Sequence, residues 1–228
     1  MPNQHRIVRG NVAWIEAAIA NANALHSALP QTILDLDGMS SPRVRHFLNH
    51  LLARPERRYL EVGSWKGSTL ISALWGNEHH LEHCAAIDNF SEFGGPRDEF
   101  WQRVRLHIPK AHFEFHDCHA FKVDLKSLGG PFNTYFYDGN HDLRAQFLAL
   151  TYFKPVLTAE FILVVDDWNA QTAQVGTRAG LHQIQAQVVQ EWILPAKCNG
   201  DLEGWWNGLY VAVVRHDPQA PQGQQPTP

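Results

Sequence analysis

Four short stretches of this chain carry residues whose types and spacing could do chemistry. In the first, Tyr59-Leu-Glu-Val-Gly-Ser-Trp-Lys-Gly-Ser-Thr69, an apolar run leads into Glu61 and a turn holding Gly63 and Gly67. Glycines at such a turn let the backbone pass close to a ligand where a Cβ would collide. The spacing Gly-x-x-x-Gly differs from the Gly-x-Gly-x-x-Gly of pyrophosphate-binding turns, and Trp65 would obstruct that approach. An acid at the strand end also suits a ligand with an ammonium group better than one with phosphates.

The second and third stretches end in acids as well. Asp88 closes Ala85-Ala-Ile-Asp88, 27 positions after Glu61, slightly longer than the separation usual for a ribose-binding acid. Asp117 lies in His116-Asp117-Cys118. Each reads either as a ligand contact or as a solvated strand-end residue, and three acids after three successive strands favour the first. The fourth group is Tyr135-Phe-Tyr-Asp-Gly-Asn-His141 together with Leu163-Val-Val-Asp-Asp-Trp-Asn169. Asp138, Asp166 and Asp167 would converge there, and carboxylates at close range repel unless a proton or cation intervenes. A hard divalent ion such as Mg²⁺ favours such oxygen ligands and keeps waters that substrate oxygens can replace. An imidazole can take up a proton at modest cost, which makes His141 a candidate base; its other reading is a helix cap or a partner that orders Asp138.

These residues need a scaffold that brings strand ends together. Near-continuous apolar strands are expected at 59–62, 84–88, 112–115, 134–137 and 161–165, with helices at 68–75, 97–106, 143–153 and 177–189 and a short one at 121–128. Val175-Gly176-Thr177 reads as the start of the helix after the fifth strand. The alternation implies a parallel sheet covered on both faces, whose ligands bind along the carboxyl edge. A strand at 209–214 and one near 192–196 are separated by too few residues for a helical crossover, so a hairpin is expected. Upstream, apolar residues at Ile15, Ile19, Ala22, Leu25 and Leu29 mark a helix closed by Pro30, and Ser41-Pro42 opens another. The expected organisation is an N-terminal helical cap over 1–56, with residues 1–10 loose, a core over 57–216 and a disordered Pro/Gln-rich tail over 217–228.

The stretch Glu61-Val-Gly63-Ser-Trp-Lys-Gly67 resembles the first motif of class I methyltransferases, Glu/Asp-x-Gly-x-x-x-Gly. Asp138-Gly-Asn-His141 followed by Asp166-Asp167 resembles metal-dependent small-molecule O-methyltransferases, within the broad grouping marked by Asp-Gly-x-His. The resemblance covers roughly residues 57 to 180. It implies a Rossmann-like, doubly wound, mostly parallel seven-stranded α/β sheet with an antiparallel last strand. It implies S-adenosylmethionine as cofactor, which has an ammonium group and no phosphate, held by Glu61, Gly63, Ser64, Gly67, Asp88 at the ribose, and Asp117 with Cys118 at the adenine. It further implies Mg²⁺ on Asp138, Asp166 and Asp167, His141 as base where catechol-type relatives place a lysine, and a small-molecule acceptor. Asn140 stands where the antibiotic-sugar enzymes carry an acid, which departs from their mechanism. The alternatives are a methyltransferase without a metal and a non-catalytic nucleotide-binding module of the same fold.

Composition narrows the class. The 228 residues are 44% hydrophobic and 11% aromatic, ample for one buried core, and the formal charge of -4 leaves no basic footprint for nucleic acid. Cys84, Cys118 and Cys198 are odd in number and widely spaced, pointing to a reducing, cytoplasmic setting rather than a disulfide framework. No stretch approaches membrane-spanning length. The histidine clusters near Cys84 and Cys118 lack a closed zinc spacing. Trp168, Trp205 and Trp206 read either as walls of a substrate pocket or as core. The apolar face of the cap helices offers a surface for a homodimer.

Overall fold

The computed structural model describes residues 2–79 and 81–219, with side chains described from residue 10 onward. Seven strands form one sheet: β1 (Arg57–Val62), β2 (Leu81–Ile87), β3 (Glu114–His116), β4 (Phe132–Tyr137), β5 (Leu157–Val165), β6 (Gln187–Leu194) and β7 (Leu209–Arg215). Their spatial order is β3-β2-β1-β4-β5-β7-β6. The first five run parallel, and β7 enters antiparallel between β5 and β6. This is the Rossmann-like arrangement with a reversed last strand. The hairpin of β6 and β7 forms as expected, with β6 beginning earlier than the strand anticipated near 192–196.

The strands alternate their side chains between two cores. One face buries Tyr59, Cys84, Ala86, Phe136, Ile162 and Val164 against α1 (Pro2–Asn23), α3 (Pro42–Leu52), α4 (Ser68–Leu74) and α5 (Arg97–His107). The other buries Leu60, Val62, Tyr135, Leu163 and Val165 against α6 (Leu143–Thr151) and α7 (Gln171–Gln183). Burial on both faces is what removes polar positions from these strands and makes them legible as apolar runs. Ser41 caps α3, its hydroxyl accepting from Val44 N at 3.3 Å, with Pro42 at the first helical position. Asp142 caps α6, accepting from Ala145 N at 2.7 Å.

Three expectations are corrected. The first helix runs from Pro2, where a loose segment was expected, and ends at Asn23 rather than near Pro30. The helix after the fifth strand begins at Gln171 rather than 177, and Gly176 lies inside it. A Cβ at Gly176 would stand 2.5 Å from Leu143 O and 2.6 Å from Gln146 Cβ, so this glycine serves the close crossing of α6 and α7. The segment 121–128 forms two short 3₁₀ turns, Ala120–Lys122 and Leu125–Leu128. Most of the tail, from residue 220, lies outside the described residues. Among the described residues no helix is long and apolar enough to cross a membrane.

Candidate active site

The ladder of the parallel sheet continues one rung past its strands. Gly63 N donates to Ile87 O, Asp138 N to Val62 O and Asp166 N to Tyr137 O, at 2.9, 2.8 and 3.1 Å. Asp88, Gly63, Asp138 and Asp166 therefore follow one another across the carboxyl edge in the strand order β2-β1-β4-β5. At Gly63 the backbone has φ +89, and a Cβ would lie 2.0 Å from Asp138 O. The turn after β1 and the turn after β4 touch through backbone there, which only glycine permits. Gly67, at φ +83, opens α4.

A cavity of about 340 Å³ lies over this edge. Its walls include Gly63, Ser64, Trp65, Asp88 and Cys118 at one end and Asp138, His141, Asp166, Asp167 and Trp206 at the other. The size suits a small-molecule ligand.

Glu61 is not part of that wall. It is fully buried, accepting hydrogen bonds from Tyr59 Oη (2.6 Å), Thr69 Oγ1 (3.0 Å) and Ser64 Oγ (3.2 Å). Burial pushes its carboxyl up to about 7 against the pull of those three donors. Its observed work is to brace the turn from beneath, correcting the expectation that it meets a ligand's ammonium group directly. Asp88 does face the cavity, yet it also holds the turn: its Oδ2 accepts from Ser64 N (2.8 Å) and Trp65 N (2.7 Å), and Oδ1 from Phe90 N (2.6 Å). Asp117 lies outside the wall, paired through both oxygens with Arg97 of α5 at 2.6 and 2.8 Å. That ion pair occupies the carboxylate expected at an adenine, and Cys118 alone of the two lines the cavity.

At the far end the acids crowd. Asp166 is buried at 3% exposure, and Asp138 reaches it within hydrogen-bonding contact. Both carboxyls are pushed well above the usual carboxylate range, first by burial; Asp167 and Glu61 add to this at Asp138, Asp138 and Asp167 add to it at Asp166, and the hydrogen bond with Asp166 draws Asp138 part of the way back. Asp166 Oδ1 is buried with no partner. Asp167 diverges: its backbone is left-handed (φ 56), its Oδ1 accepts from Asn207 Nδ2, and its Oδ2 lies 3.3 Å from His141 Nε2. His141 Nε2 also stands 3.6 Å from Asp138 Oδ1. Among the described residues no group of three or more His, Cys, Asp or Glu side chains is set to hold a metal ion. The three-carboxylate set is therefore corrected to a close pair, Asp138 and Asp166, because His141 and Asn207 engage Asp167.

The tryptophans divide. Trp168 is buried and stacks on Tyr210 at 4.2 Å, and Trp205 is buried edge-on to Phe47 at 6.0 Å. Only Trp206 of the three lines the cavity. Sequence reasoning missed Met39, which reaches the site from the loop between α2 (Gln31–Leu34) and α3. Buried Arg45 gathers that loop, donating to the carbonyls of Ile33, Leu34, Leu36 and Ser40 and to Ser40 Oγ. Gly38 packs on Ser68, where a Cβ would lie 2.0 Å from Ser68 Oγ. It also missed Phe93, on the cavity wall, whose ring meets Trp65 edge-on at 6.4 Å while its carbonyl accepts from Trp65 Nε1. The glycine pair Gly94-Gly95 was the available signal for that turn.

Residues 60–168 match the family model described as a methyltransferase domain. No curated protein matches the sequence. Among solved structures, the chain is similar to a methyltransferase of Podospora anserina bound to S-adenosylhomocysteine, at a TM-score of 0.57 and 14% identity over 94% of this chain and 97% of that one. It is similar to an O-methyltransferase of Bacillus cereus in complex with S-adenosylhomocysteine (TM-score 0.55, 14% identity, 89% and 91% covered). It is also similar to TrmN of Thermus thermophilus (TM-score 0.56, 14% identity, 81% of this chain), of which it spans about half, 52%. At these identities the likeness concerns the fold. The cavity wall draws further residues from outside the matched segment: Met39 before it, Trp206 and Asn207 after it.

Proposed function

We propose that this chain transfers the methyl group of S-adenosylmethionine to an oxygen of a small-molecule acceptor. The observation that carries the reading is that one cavity joins the braced Gly63–Gly67 turn to the Asp138–His141–Asp166 corner. Donor and acceptor then share one enclosure, as a collinear displacement requires. The turn and Asp88 hold the donor's amino-acid and ribose parts, and Cys118 borders its adenine. The acceptor oxygen takes the methyl carbon as the carbon–sulfur bond breaks, leaving S-adenosylhomocysteine. The acceptor's proton passes to the carboxyl–imidazole group at the far end. Trp206 and Met39 exclude water from the acceptor side.

The donor set at the far end suits a hard divalent ion. Asp138 and Asp166 supply oxygens at close range, one of them a buried oxygen without a partner. Mg²⁺ is commonly held by one or two carboxylates with waters and substrate completing its shell. Those two residues would hold it, and it would supply charge neutralisation and acidify a bound hydroxyl.

Because Trp65 and Trp206 line opposite ends of the cavity, tryptophan emission reports its filling. Titration with S-adenosylhomocysteine is expected to change that emission saturably, with most of the change lost in Trp65→Phe. A response to NAD with none to S-adenosylhomocysteine would refute the assignment.

A further inference from the structure

The imidazole of His141 has polar groups facing both nitrogens. On one side Nε2 faces Asp167 Oδ2 at 3.3 Å and Asp138 Oδ1 at 3.6 Å. On the other, Nδ1 meets Gln146 Nε2 at 3.1 Å. Gln146 is fully buried, and its Oε1 accepts from Thr177 Oγ1 at 3.0 Å, with Thr177 itself buried. The chain Thr177–Gln146–His141 thus runs from α7 through α6 to the acid corner. Gly176 makes it physically available, because any Cβ there would push α7 away from Gln146.

We infer that Gln146 is a positioning residue that fixes His141 as the Nε2–H tautomer, making its imidazole a donor to the acid corner rather than the acceptor of the substrate proton. The two ends of the chain demand the same arrangement. Carboxylate oxygens only accept, so the nitrogen facing them carries the proton. The lone pair is then on Nδ1, which needs a donor, and the amide N–H of Gln146 supplies it. The amide oxygen is left facing Thr177, whose hydroxyl can donate. In this register the amide N–H, the Nδ1 lone pair, the amide oxygen and the threonine hydroxyl are each paired.

This inference rests on the methyl-transfer reading and assigns its proton. With its one lone pair, on Nδ1, held by Gln146, His141 does not receive the acceptor's proton, which passes to a carboxyl oxygen of the corner. The methyl carbon leaves sulfur for the acceptor oxygen as that proton moves, so charge and atoms balance. His141 keeps its own proton throughout and supports the carboxylate it faces. The expected role of His141 as base is replaced by that of donor.

The test needs neither cofactor nor acceptor. In protein labelled with ¹⁵N-histidine, the His141 signals are assigned by their loss in His141→Gln, and one-bond and long-range couplings report which nitrogen carries hydrogen. The wild type is expected to show the proton on Nε2. Gln146→Glu presents only acceptors to Nδ1 and is expected to move the proton to that nitrogen, with the other 13 of the 14 histidines unshifted. Thr177→Val, nearly isosteric, frees the amide to turn and is expected to give a mixture of tautomers. An Nδ1–H tautomer in the wild type, or His141 signals unchanged in Gln146→Glu, would overturn the inference. Loss of S-adenosylhomocysteine binding would instead count against the functional reading and leave the tautomer result standing.

Discussion

Replacing Glu61 by Gln turns a buried carboxyl into a neutral amide of the same shape, and its effect should depend on pH. The folded protein holds this carboxyl at about 7 against an ordinary 4.5, mainly through burial. In the unfolded chain the same group ionises near its ordinary value. Below both values the proton is bound in either state, so no stability is lost. As pH rises between them, only the unfolded chain releases its proton, and stability falls until the folded carboxyl also ionises. At about 1.4 kcal/mol per pKa unit, the whole displacement corresponds to about 3 kcal/mol. Urea unfolding of wild type and Glu61→Gln near pH 5 and near pH 8 measures it. The variant is expected to gain about 2.5 kcal/mol relative to wild type on going to the higher pH, since near pH 5 the unfolded carboxyl is already largely ionised. A gap of the same size at both pH values, or one that moves the other way, would refute the reading of Glu61 as a buried brace that resists ionisation.

Other consequences are as direct. Gly63→Ala places a Cβ 2.0 Å from Asp138 O at φ +89, so a loss of at least about 2 kcal/mol is expected in urea melts, with S-adenosylhomocysteine binding abolished. Arg45→Ala removes the donor that gathers the carbonyls of Ile33, Leu34, Leu36 and Ser40. Hydrogen exchange over residues 33–41 should rise sharply and stability fall by about 3 kcal/mol; Lys at this position should not restore it, since an ammonium cannot span the same acceptors. Asp166→Asn should abolish Mg²⁺ binding in calorimetry while leaving S-adenosylhomocysteine affinity within about twofold, because the pair with Asp138 is broken at the far end of the cavity. Retained Mg²⁺ affinity in that variant would remove Asp166 from the ion's shell.

Much of the fold was written in the chain because both faces of the sheet are buried. Strands such as Phe161-Ile-Leu-Val-Val165 carry no polar residue, and the glycine-rich turn after Val62 marks where the first one ends. What escaped depends on contacts between distant residues. Gly176 reads locally as a helix breaker, yet its value lies in the approach of a different helix. Asp117 carries no local sign of Arg97, 20 positions away, which claims it. Asp167 looks equivalent to Asp166 in sequence, but a left-handed backbone and Asn207, 40 positions on, send the two carboxyls apart. Trp168 follows two acids at the edge and still turns into the core against Tyr210. Met39 lines the cavity from a loop gathered by Arg45, whose charge gave no hint of a buried hub. Burial draws that guanidinium down to about 10, an effect invisible without the packing around it.

The most direct test of the account is a crystal structure of the chain with S-adenosylhomocysteine. The amino-acid end is expected against the Gly63–Gly67 turn, the ribose at Asp88, and the sulfur directed at the corner formed by Asp138, His141 and Trp206. A ligand seated elsewhere, or an empty turn with a phosphorylated molecule along the sheet edge, would contradict it.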